Sequence, residues 1–349
     1  MKKAGWIAGT LLLLAIAACG WLWLEVRDFL DNAPETPGHE VLVDVLPGAR
    51  LSRVAKDLQA KGVVTDDRKF ELLARFKDVE HRIQAGRFAM HTGWLPEKVL
   101  DVLVNGSPLL HRITVPEGLT WWQTGTLLAN AGFVDLAAFT DAVLDPELLR
   151  RYGIPFVTAE GFLMPDTYLL KKPDTPDARQ TRSVVGRLLD NFWRKSATVW
   201  PDGKKPGVED LRHYVILASI VEKETGRPEE RARVAGVYRN RLARRMPLQA
   251  DPTVIYGLGP AFGGNLRRTH LDDPSNPYNT YQHPGLPPGP ICSFGVSSLA
   301  AAVRPEAHGY LYFVAVTDGG EHAFSTTLAE HNKAVRRYLQ NRRAASSKE

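Results

Sequence analysis

A long apolar stretch without charged residues lies at the start of the chain. Lys2 and Lys3 precede an apolar run from Ala4 to Leu24, with tryptophans near both ends. At about 1.5 Å per residue this run can cross the hydrocarbon core of a bilayer, and the basic residues before it favour a cytoplasmic N-terminus. We therefore expect residues 1–3 in the cytoplasm, a single transmembrane helix over 4–24, and the remaining chain on the outer (periplasmic) side of the inner membrane.

Two other interpretations of this segment stay open. A cleaved signal peptide has a shorter apolar region, whereas this run continues past Ala17 and Ala18. The stretch Ile16–Cys19 resembles a lipoprotein processing box, in which Cys19 would carry a lipid. Residues 25–39, which include two prolines, are predicted as a linker.

A pattern of hydrophobic and glycine positions occurs twice in the next part of the chain. Val43–Gly48 begins one copy and Ile113–Gly118 the other, 70 residues later; the copies end at Gly62 and Gly132. Between these points, apolar residues recur with helical spacing. Each copy therefore predicts a strand, a glycine turn, a helix and a glycine stop.

Two further segments complete a small module after the first copy. Gly86–Met90 alternates like a returning strand, and Pro96–Val104 has the pattern of a short helix. This order predicts an α+β subdomain over residues 40–110. The subdomain resembles the LysM-like subdomains of wall enzymes, which implies glycan binding; a purely structural spacer is the alternative.

The most informative helix is predicted over Glu209–Thr225. Its interior, Tyr214–Val221, is apolar on nearly every side, so the helix should be buried. Glu222 and Glu224 follow at its end. Burial raises the pKa of a carboxyl group, as a general acid requires, although a solvated last turn paired with nearby arginines would give the same pattern. Periodicity does not choose between the two glutamates.

Several segments of the second half are rich in proline, glycine, amide and aromatic residues. They are Gln249–Gly257, Pro277–Tyr281 and Gly285–Ile291. We predict ordered loops without regular structure here, of the kind that line a saccharide cleft. The segment Glu160–Tyr168 has similar character, and its acids would either line such a groove or cap a helix or close a turn.

The last part of the chain predicts a hairpin and a helix. Tyr310–Val316 has the pattern of a buried strand, and after a turn at Gly319–Gly320 the segment His322–Thr326 should return antiparallel to it. Leu328–Leu339 should form a surface helix, and residues 341–349 a solvated basic tail.

Composition narrows the chemistry. The net charge of +5 favours anionic partners in general, but no motif typical of DNA or RNA recognition is present, so we expect no nucleic acid partner. Of the two cysteines, Cys19 lies in the apolar run, so neither a disulfide with Cys292 nor a thiolate metal cluster is expected. We expect neither a metal nor another cofactor.

These motifs together resemble the YceG-like endolytic murein transglycosylases, from the apolar run almost to the C-terminus. The resemblance is dense in six segments: Glu160–Tyr168, Ala218–Gly226, Gln249–Gly257, Tyr278–Tyr281, Gly285–Ile291 and Tyr310–Ala315. It implies an α+β catalytic region over residues 111–340. The implied reaction cleaves the β-1,4 bond between N-acetylmuramic acid and N-acetylglucosamine in nascent peptidoglycan without water, leaving 1,6-anhydro ends.

The resemblance also implies roles for individual residues. Glu224 would be the catalytic acid and then the base, with Glu222 in support. The other candidates for positioning sugar or charge are Gln249, Asp251, Asn279, Tyr281 and Glu160. Implied partners are glycan strands, the cytoplasmic membrane and peptidoglycan synthases, with a role in ending strand elongation.

Two alternatives for the function stay open. The first is a lysozyme-type hydrolase that uses Glu224 together with a second acid such as Asp251. The second is a non-catalytic wall-binding scaffold tethered to the synthases.

Overall fold

The chain folds into two compact units. The computed structural model describes residues 2–46, 48–106, 109–316 and 321–346. The first unit comprises Met1–His111 and the second Arg112–Glu349. Each unit has a hydrophobic core of its own. The architecture is mixed α+β, with many helices and small sheets, as the sequence predicts.

The first unit is built around a two-stranded sheet. Its elements are α1 (Lys2–Asp31), β1 (Glu40–Val45), α2 (Leu51–Ala60), α3 (Asp67–Phe76), β2 (Gly86–His91) and α4 (Pro96–Asn105). Strands β1 and β2 pair antiparallel, with Glu40 opposite His91 and Val45 opposite Gly86. The strand and helix predicted at Gly86–Met90 and Pro96–Val104 are thereby confirmed.

The second unit is mostly helical. Its elements are β3 (His111–Val115), α5 (Trp121–Asn130), α6 (Leu136–Leu144), α7 (Pro146–Tyr152), β4 (Asp166–Leu170), α8 (Ala178–Ser196), α9 (Val208–Glu224), α10 (Arg231–Ala243), α11 (Asp251–Leu258), α12 (Arg268–Leu271), α13 (Val296–Val303), β5 (Tyr312–Ala315), β6 (His322–Ser325) and α14 (Leu328–Ser346). Strands β3 and β4 form one small sheet, and β5 and β6 another.

The repeated strand–turn–helix pattern is confirmed. Helices α2 and α5 each have ten residues and begin 70 positions apart. In both copies the strand leads into a glycine with positive φ, Gly48 (75°) and Gly118 (81°). Past the helices, Gly62 (68°) and Gly132 (78°) adopt the left-handed conformation that ends a helix.

The predicted linker is partly helical. Residues 25–31 continue α1 instead of leaving it. The reason is a short apolar face: Phe29 is buried in the core of the first unit with Leu30 beside it, and Glu25 pairs with Lys69 of α3 at 2.6 Å. Much of the predicted anchor, residues 4–24, lies outside the residues whose side chains are described. Among the residues that the structure describes, no helix is both long and apolar enough to cross a bilayer.

One segment predicted to be irregular is helical. Asp251–Leu258 forms α11, although it contains Pro252 and Gly257. Proline is tolerated there because it stands in the first turn, where backbone N–H groups have no partner within the helix. The prediction of an irregular loop was therefore wrong for Asp251–Leu258. It is confirmed for the segments around Tyr278 and Leu286, which have no regular secondary structure.

The C-terminal hairpin is confirmed with two differences. Strands β5 and β6 pair antiparallel, Tyr312 opposite Ser325, but β5 is half-buried and not fully buried. The turn predicted at Gly319–Gly320 lies outside the described residues. Helix α14 continues to Ser346, beyond the predicted end at Leu339 and into the predicted basic tail.

Helix α9 lies at the centre of the second unit. Its buried positions are Leu211 and every residue from Val215 to Val221, so the prediction of a buried helix is confirmed. It packs against α10 and α13. Because neighbours surround the helix, its last residue is held by tertiary structure and does not fray into solvent.

Candidate active site

Glu224 is the last residue of α9. The residue as a whole is half-buried, while its carboxyl group is almost fully desolvated. Desolvation raises the pKa of Glu224 to about 7, against the effect of a hydrogen bond from Tyr238. The pKa shift predicted for an acid at this helix end is therefore confirmed for Glu224.

Two residues of α10 stand beside Glu224. The Tyr238 phenol is buried and donates a hydrogen bond to the Glu224 carboxyl group, and burial with this acid raises the pKa of Tyr238. Arg241, one turn later, contributes positive charge that lowers the pKa of Glu224. Its guanidinium is fixed by bonds to the carbonyl oxygens of Leu248 (2.8 Å) and Leu311 (2.7 Å).

A second carboxylate acts on Glu224 from the start of α11. Asp251 is exposed, and its negative charge raises the pKa of Glu224. The Tyr281 phenol donates to Asp251 Oδ1 at 2.6 Å. We call Glu224, Tyr238, Asp251 and Tyr281 the acid site. Of the candidates from sequence, the structure brings Glu224, Asp251 and Tyr281 together.

Gln249 precedes the acid site in an unusual conformation. Its φ of 51° lies in the left-handed region that non-glycine residues rarely adopt, and its side chain is exposed. The backbone N–H of Gln249 donates to the Thr280 carbonyl at 3.1 Å, and the Ala250 N–H to the Thr280 hydroxyl at 3.0 Å. These bonds fix the start of α11 to the segment that carries Tyr281.

Asn279 is fully buried, and its side chain is engaged with backbone. Its Nδ2 donates to the carbonyl oxygens of His270, Leu271 and Asp273, and its Oδ1 accepts from the Tyr281 N–H at 3.1 Å. This geometry makes Asn279 a brace for the loop before Tyr281. Its predicted direct role toward sugar stays a prediction.

Glu222 lies on another side of α9 from Glu224, since residues two apart are separated by about 200° around a helix. Its side chain accepts from the Gly295 N–H at 3.0 Å and lies 3.4 Å from Arg231. Arg231 also lies 3.6 Å from Glu117. The structure thus separates the two glutamates that periodicity left equivalent: Glu222 is in a buried ion pair, and Glu224 is in the acid site.

Glu160 is buried elsewhere in the second unit. Its carboxyl group accepts from the Trp121 N–H at 3.0 Å and the Gly161 N–H at 3.3 Å, and shares a hydrogen bond with Tyr256. Burial raises the pKa of Glu160 to about 8, so the group is mostly neutral at pH 7. Its carboxyl group caps the first turn of α5 and supports the Tyr256 phenol, and its role in lining a saccharide groove stays a prediction.

A carboxylate and a histidine hold the chain just after Glu224. The Thr225 hydroxyl donates to Glu230 Oε2 at 3.4 Å, and the same carboxylate accepts from His322 Nδ1 at 2.7 Å and the His322 N–H at 3.0 Å. Burial raises the pKa of Glu230, but the bonds from His322 outweigh it and leave that pKa below its usual value. We call Thr225, Glu230 and His322 the clamp; it ties the end of α9 to β6.

Sequence reasoning missed Tyr238, Arg241 and the clamp. A signal existed for the first two, because a tyrosine and an arginine three apart share one face of a helix. Nothing local indicated that this face meets Glu224. Within the described ranges, no group of three or more histidine, cysteine or carboxylate side chains could hold a metal ion.

Comparison with known proteins assigns the chain to a family. The profile of the YceG-like family matches residues 43–337. The endolytic murein transglycosylase of Bacillus subtilis is 28% identical over 341 residues, covering 93% of this chain and 91% of that protein. That of Streptococcus pneumoniae D39 is 26% identical over 97% of this chain and 66% of that protein. The chain belongs to the YceG-like family.

A solved structure agrees with this assignment. The crystal structure of a YceG-like protein from Listeria monocytogenes superposes with a TM-score of 0.53 at 29% sequence identity. It covers 84% of this chain and 99% of the Listeria chain. The similarity therefore extends over both sequence and fold.

Proposed function

We propose that the chain is an endolytic lytic transglycosylase in which Glu224 carries out both proton transfers. Family membership and the two relatives named endolytic murein transglycosylase support cleavage of peptidoglycan by this chemistry. One observation carries the assignment of Glu224: burial at the end of α9 gives its carboxyl group a pKa of about 7. A group with this pKa gives and takes a proton with similar ease at neutral pH.

The proton cycle needs one carboxyl group. Protonated Glu224 gives its proton to the glycosidic oxygen as the bond from C1 of the muramyl residue breaks. The C6 hydroxyl of the same residue then attacks C1, and the Glu224 carboxylate takes the proton of that hydroxyl. The product is a 1,6-anhydro end, no water is consumed, and Glu224 returns to its protonated state. An intramolecular nucleophile of this kind benefits from high effective concentration.

The rest of the acid site supports the charge that develops. Positive charge forms at C1 when the glycosidic bond breaks. The Asp251 carboxylate, oriented by the Tyr281 phenol, is placed to stabilise that charge. Gln249 is exposed beside it and supplies an amide for sugar hydroxyls. Asn279 contributes by bracing the loop before Tyr281. Glu222 accepts from the Gly295 N–H and so holds the side of α9 opposite to Glu224.

Mass spectrometry of digested walls tests the assignment. Wild-type protein should release fragments with 1,6-anhydromuramic ends, and Glu224→Gln should release none while still binding isolated sacculi. Glu209→Gln changes an exposed glutamate in the first turn of the same helix and should cleave normally. Reducing muramic ends would instead indicate the hydrolase, in which Asp251 acts with Glu224. Unchanged function in cells carrying Glu224→Gln would indicate the scaffold.

We propose glycan binding by the first unit as well. A cavity of ≈ 250 Å³ lies between the segment joining β1 to α2 and the segment before β2; Leu46 and Ile83 line it with Glu80 and His81. A lining that combines polar groups with apolar side chains suits a saccharide. Leu46→Ala with His81→Ala should weaken binding to sacculi, whereas Phe76→Ala, which truncates a side chain 89% exposed in the same unit, should not. Equal binding by all three proteins would leave the unit as a spacer.

The membrane anchor is a third part of the proposal. It is supported by the apolar run 4–24 after two lysines. An anchored, periplasmic enzyme would meet strands as synthases extend them and could end their elongation. Mature protein in the membrane fraction should retain residues 1–24, by intact mass. A lipid on Cys19, or a mature start beyond residue 24, would contradict the anchor.

A further inference from the structure

Several aromatic rings of the second unit contact one another in tilted and edge-on arrangements. The ring centroids of Trp122 and Tyr256 are 5.0 Å apart with an interplanar angle of 32°, and those of Tyr256 and Tyr278 are 4.8 Å apart. Trp121 meets Trp122 edge-on at 5.6 Å. We call Trp122, Tyr256 and Tyr278 the aromatic row. All three are only half-buried, so each keeps surface that a ligand can contact.

Two elements connect the aromatic row to the acid site. Helix α11 begins with Asp251 and carries Tyr256 five residues later, about 7.5 Å along its axis at 1.5 Å per residue. The irregular segment after α12 carries Tyr281, which bonds Asp251, and also Tyr278. The same two pieces of chain therefore carry parts of both the row and the acid site, although five residues turn Tyr256 about 140° around α11 from Asp251.

The buried Glu160 holds the row in place. Its carboxyl group accepts from the Trp121 N–H, which fixes the first turn of α5 and hence Trp122, and it shares a hydrogen bond with the Tyr256 phenol. Binding to rings that are already fixed costs less side-chain conformational entropy than binding to mobile rings. Glu160 takes no part in the proton cycle, and its role in fixing these rings explains why a carboxyl group is buried here.

We propose that the aromatic row is a saccharide subsite that takes an N-acetylhexosamine of the same glycan strand further along from the cleaved residue, with Glu160 as its positioning residue. A pyranose ring offers an apolar face of C–H groups to an aromatic ring, and phenols can bond its hydroxyl and acetamido groups. The inference rests on the proposed function and deepens it. An enzyme that cuts inside a strand must hold sugars beyond the scissile bond, and the row supplies such a contact.

Kinetics on peptide-free glycan strands of defined length test this subsite in the full-length protein. Trp122→Ala should raise KM for long strands about tenfold or more, the size of loss seen when a central aromatic contact is removed, with kcat at saturation unchanged. Trp122→Phe keeps a ring and should recover most of the affinity. Ile255→Ala truncates an exposed neighbour on α11 and should match the wild type. Binding of the same strands to these variants in a Glu224→Gln background gives a second measurement without turnover.

Glu160 needs a separate pair of variants. Glu160→Ala removes the acceptor of the Trp121 N–H and should raise KM as Trp122→Ala does, while Glu160→Gln keeps a carbonyl acceptor and should recover KM. A purely structural role would instead lower kcat and the melting temperature together.

The outcomes separate the subsite from the proposed function. If wild-type protein forms no anhydro ends, the proposed function fails. If it forms them and Trp122→Ala is unchanged in KM and in binding, or Ile255→Ala loses as much, the subsite is overturned while the function stands.

Discussion

At the scale of single residues, the reaction depends on the protonation of Glu224. The first step needs the protonated acid, and its pKa is about 7. We expect kcat/KM for glycan cleavage to fall as pH rises through about 7. The Tyr238 phenol stabilises the ionised carboxylate and so lowers this pKa.

Tyr238→Phe should therefore raise the pKa of Glu224 and move the alkaline limb of the pH–rate profile to higher pH. The measurement is kcat/KM on soluble glycan strands from pH 5 to 9. Tyr214→Phe, which removes a half-buried phenol from the middle of α9, is the control and should leave the profile in place. An identical profile for Tyr238→Phe and wild type would show that this hydrogen bond does not set the protonation of Glu224.

At the scale of elements, the end of α9 must be held because Glu224 is its last residue. The clamp does this through the Thr225 hydroxyl. Thr225→Val preserves shape but removes the hydroxyl, so we expect kcat to fall about tenfold or more, with KM and the melting temperature little changed. Thr225→Ser keeps the hydroxyl and should restore kcat. A loss of kcat in Thr225→Ser equal to that in Thr225→Val would remove the hydroxyl from the explanation.

The contact between α5 and α6 gives a second prediction for elements. Glycine in a helix costs about 1 kcal/mol relative to alanine, so Gly125→Ala would ordinarily stabilise α5. Here a Cβ on Gly125 would lie 2.6 Å from Phe139 Cδ1, and overpacking of that kind costs roughly 1–3 kcal/mol. We expect a net loss in the free energy of unfolding, measured by urea denaturation. Thr126→Ala, an exposed change on the same helix, should be nearly neutral; a stabilised Gly125→Ala would contradict the packing argument.

The sequence predicted elements best where local signals agree. Glycines with positive φ marked the ends of α2 and α5, and the apolar interior marked α9. Helix α11 was missed because Pro252 and Gly257 usually signal loops, and only its place in the first turn makes the proline acceptable. Helices α3, α6, α7 and α8 begin at aspartate caps that offered a signal, but no expectation was drawn from them.

The site was predictable only in part, because local sequence signals do not show which elements meet in the fold. Glu224 and Asp251 follow from motifs, but the partners that set the behaviour of Glu224 come from other elements. Tyr238 reaches it from α10, and His322 acts through Glu230 from β6. Such pairings are tertiary, and periodicity along one element cannot reveal them.

At the scale of the whole molecule, each unit has its own core, so we expect a core substitution to destabilise only the unit that contains it. Phe88 is 1% exposed in the core of the first unit, and Phe88→Ala should cost that unit roughly 3–5 kcal/mol. The acid site belongs to the other unit, so cleavage of short peptide-free glycans should keep its kcat. Differential scanning calorimetry should show one transition lowered. Phe162→Ala, in the core of the second unit, should abolish cleavage; equal loss of kcat in both variants would mean that the units do not behave separately.

The orientation of two helices has a consequence for the roles of the two carboxyl groups. Glu224 stands at the C-terminal end of α9 and Asp251 at the N-terminal end of α11. Aligned peptide dipoles leave partial negative charge at the first of these poles and partial positive charge at the second. The backbone therefore favours a protonated, neutral carboxyl group at the end of α9 and an ionised carboxylate at the start of α11. The direction of the two helices thus favours the acid role for Glu224 and the charge-stabilising role for Asp251.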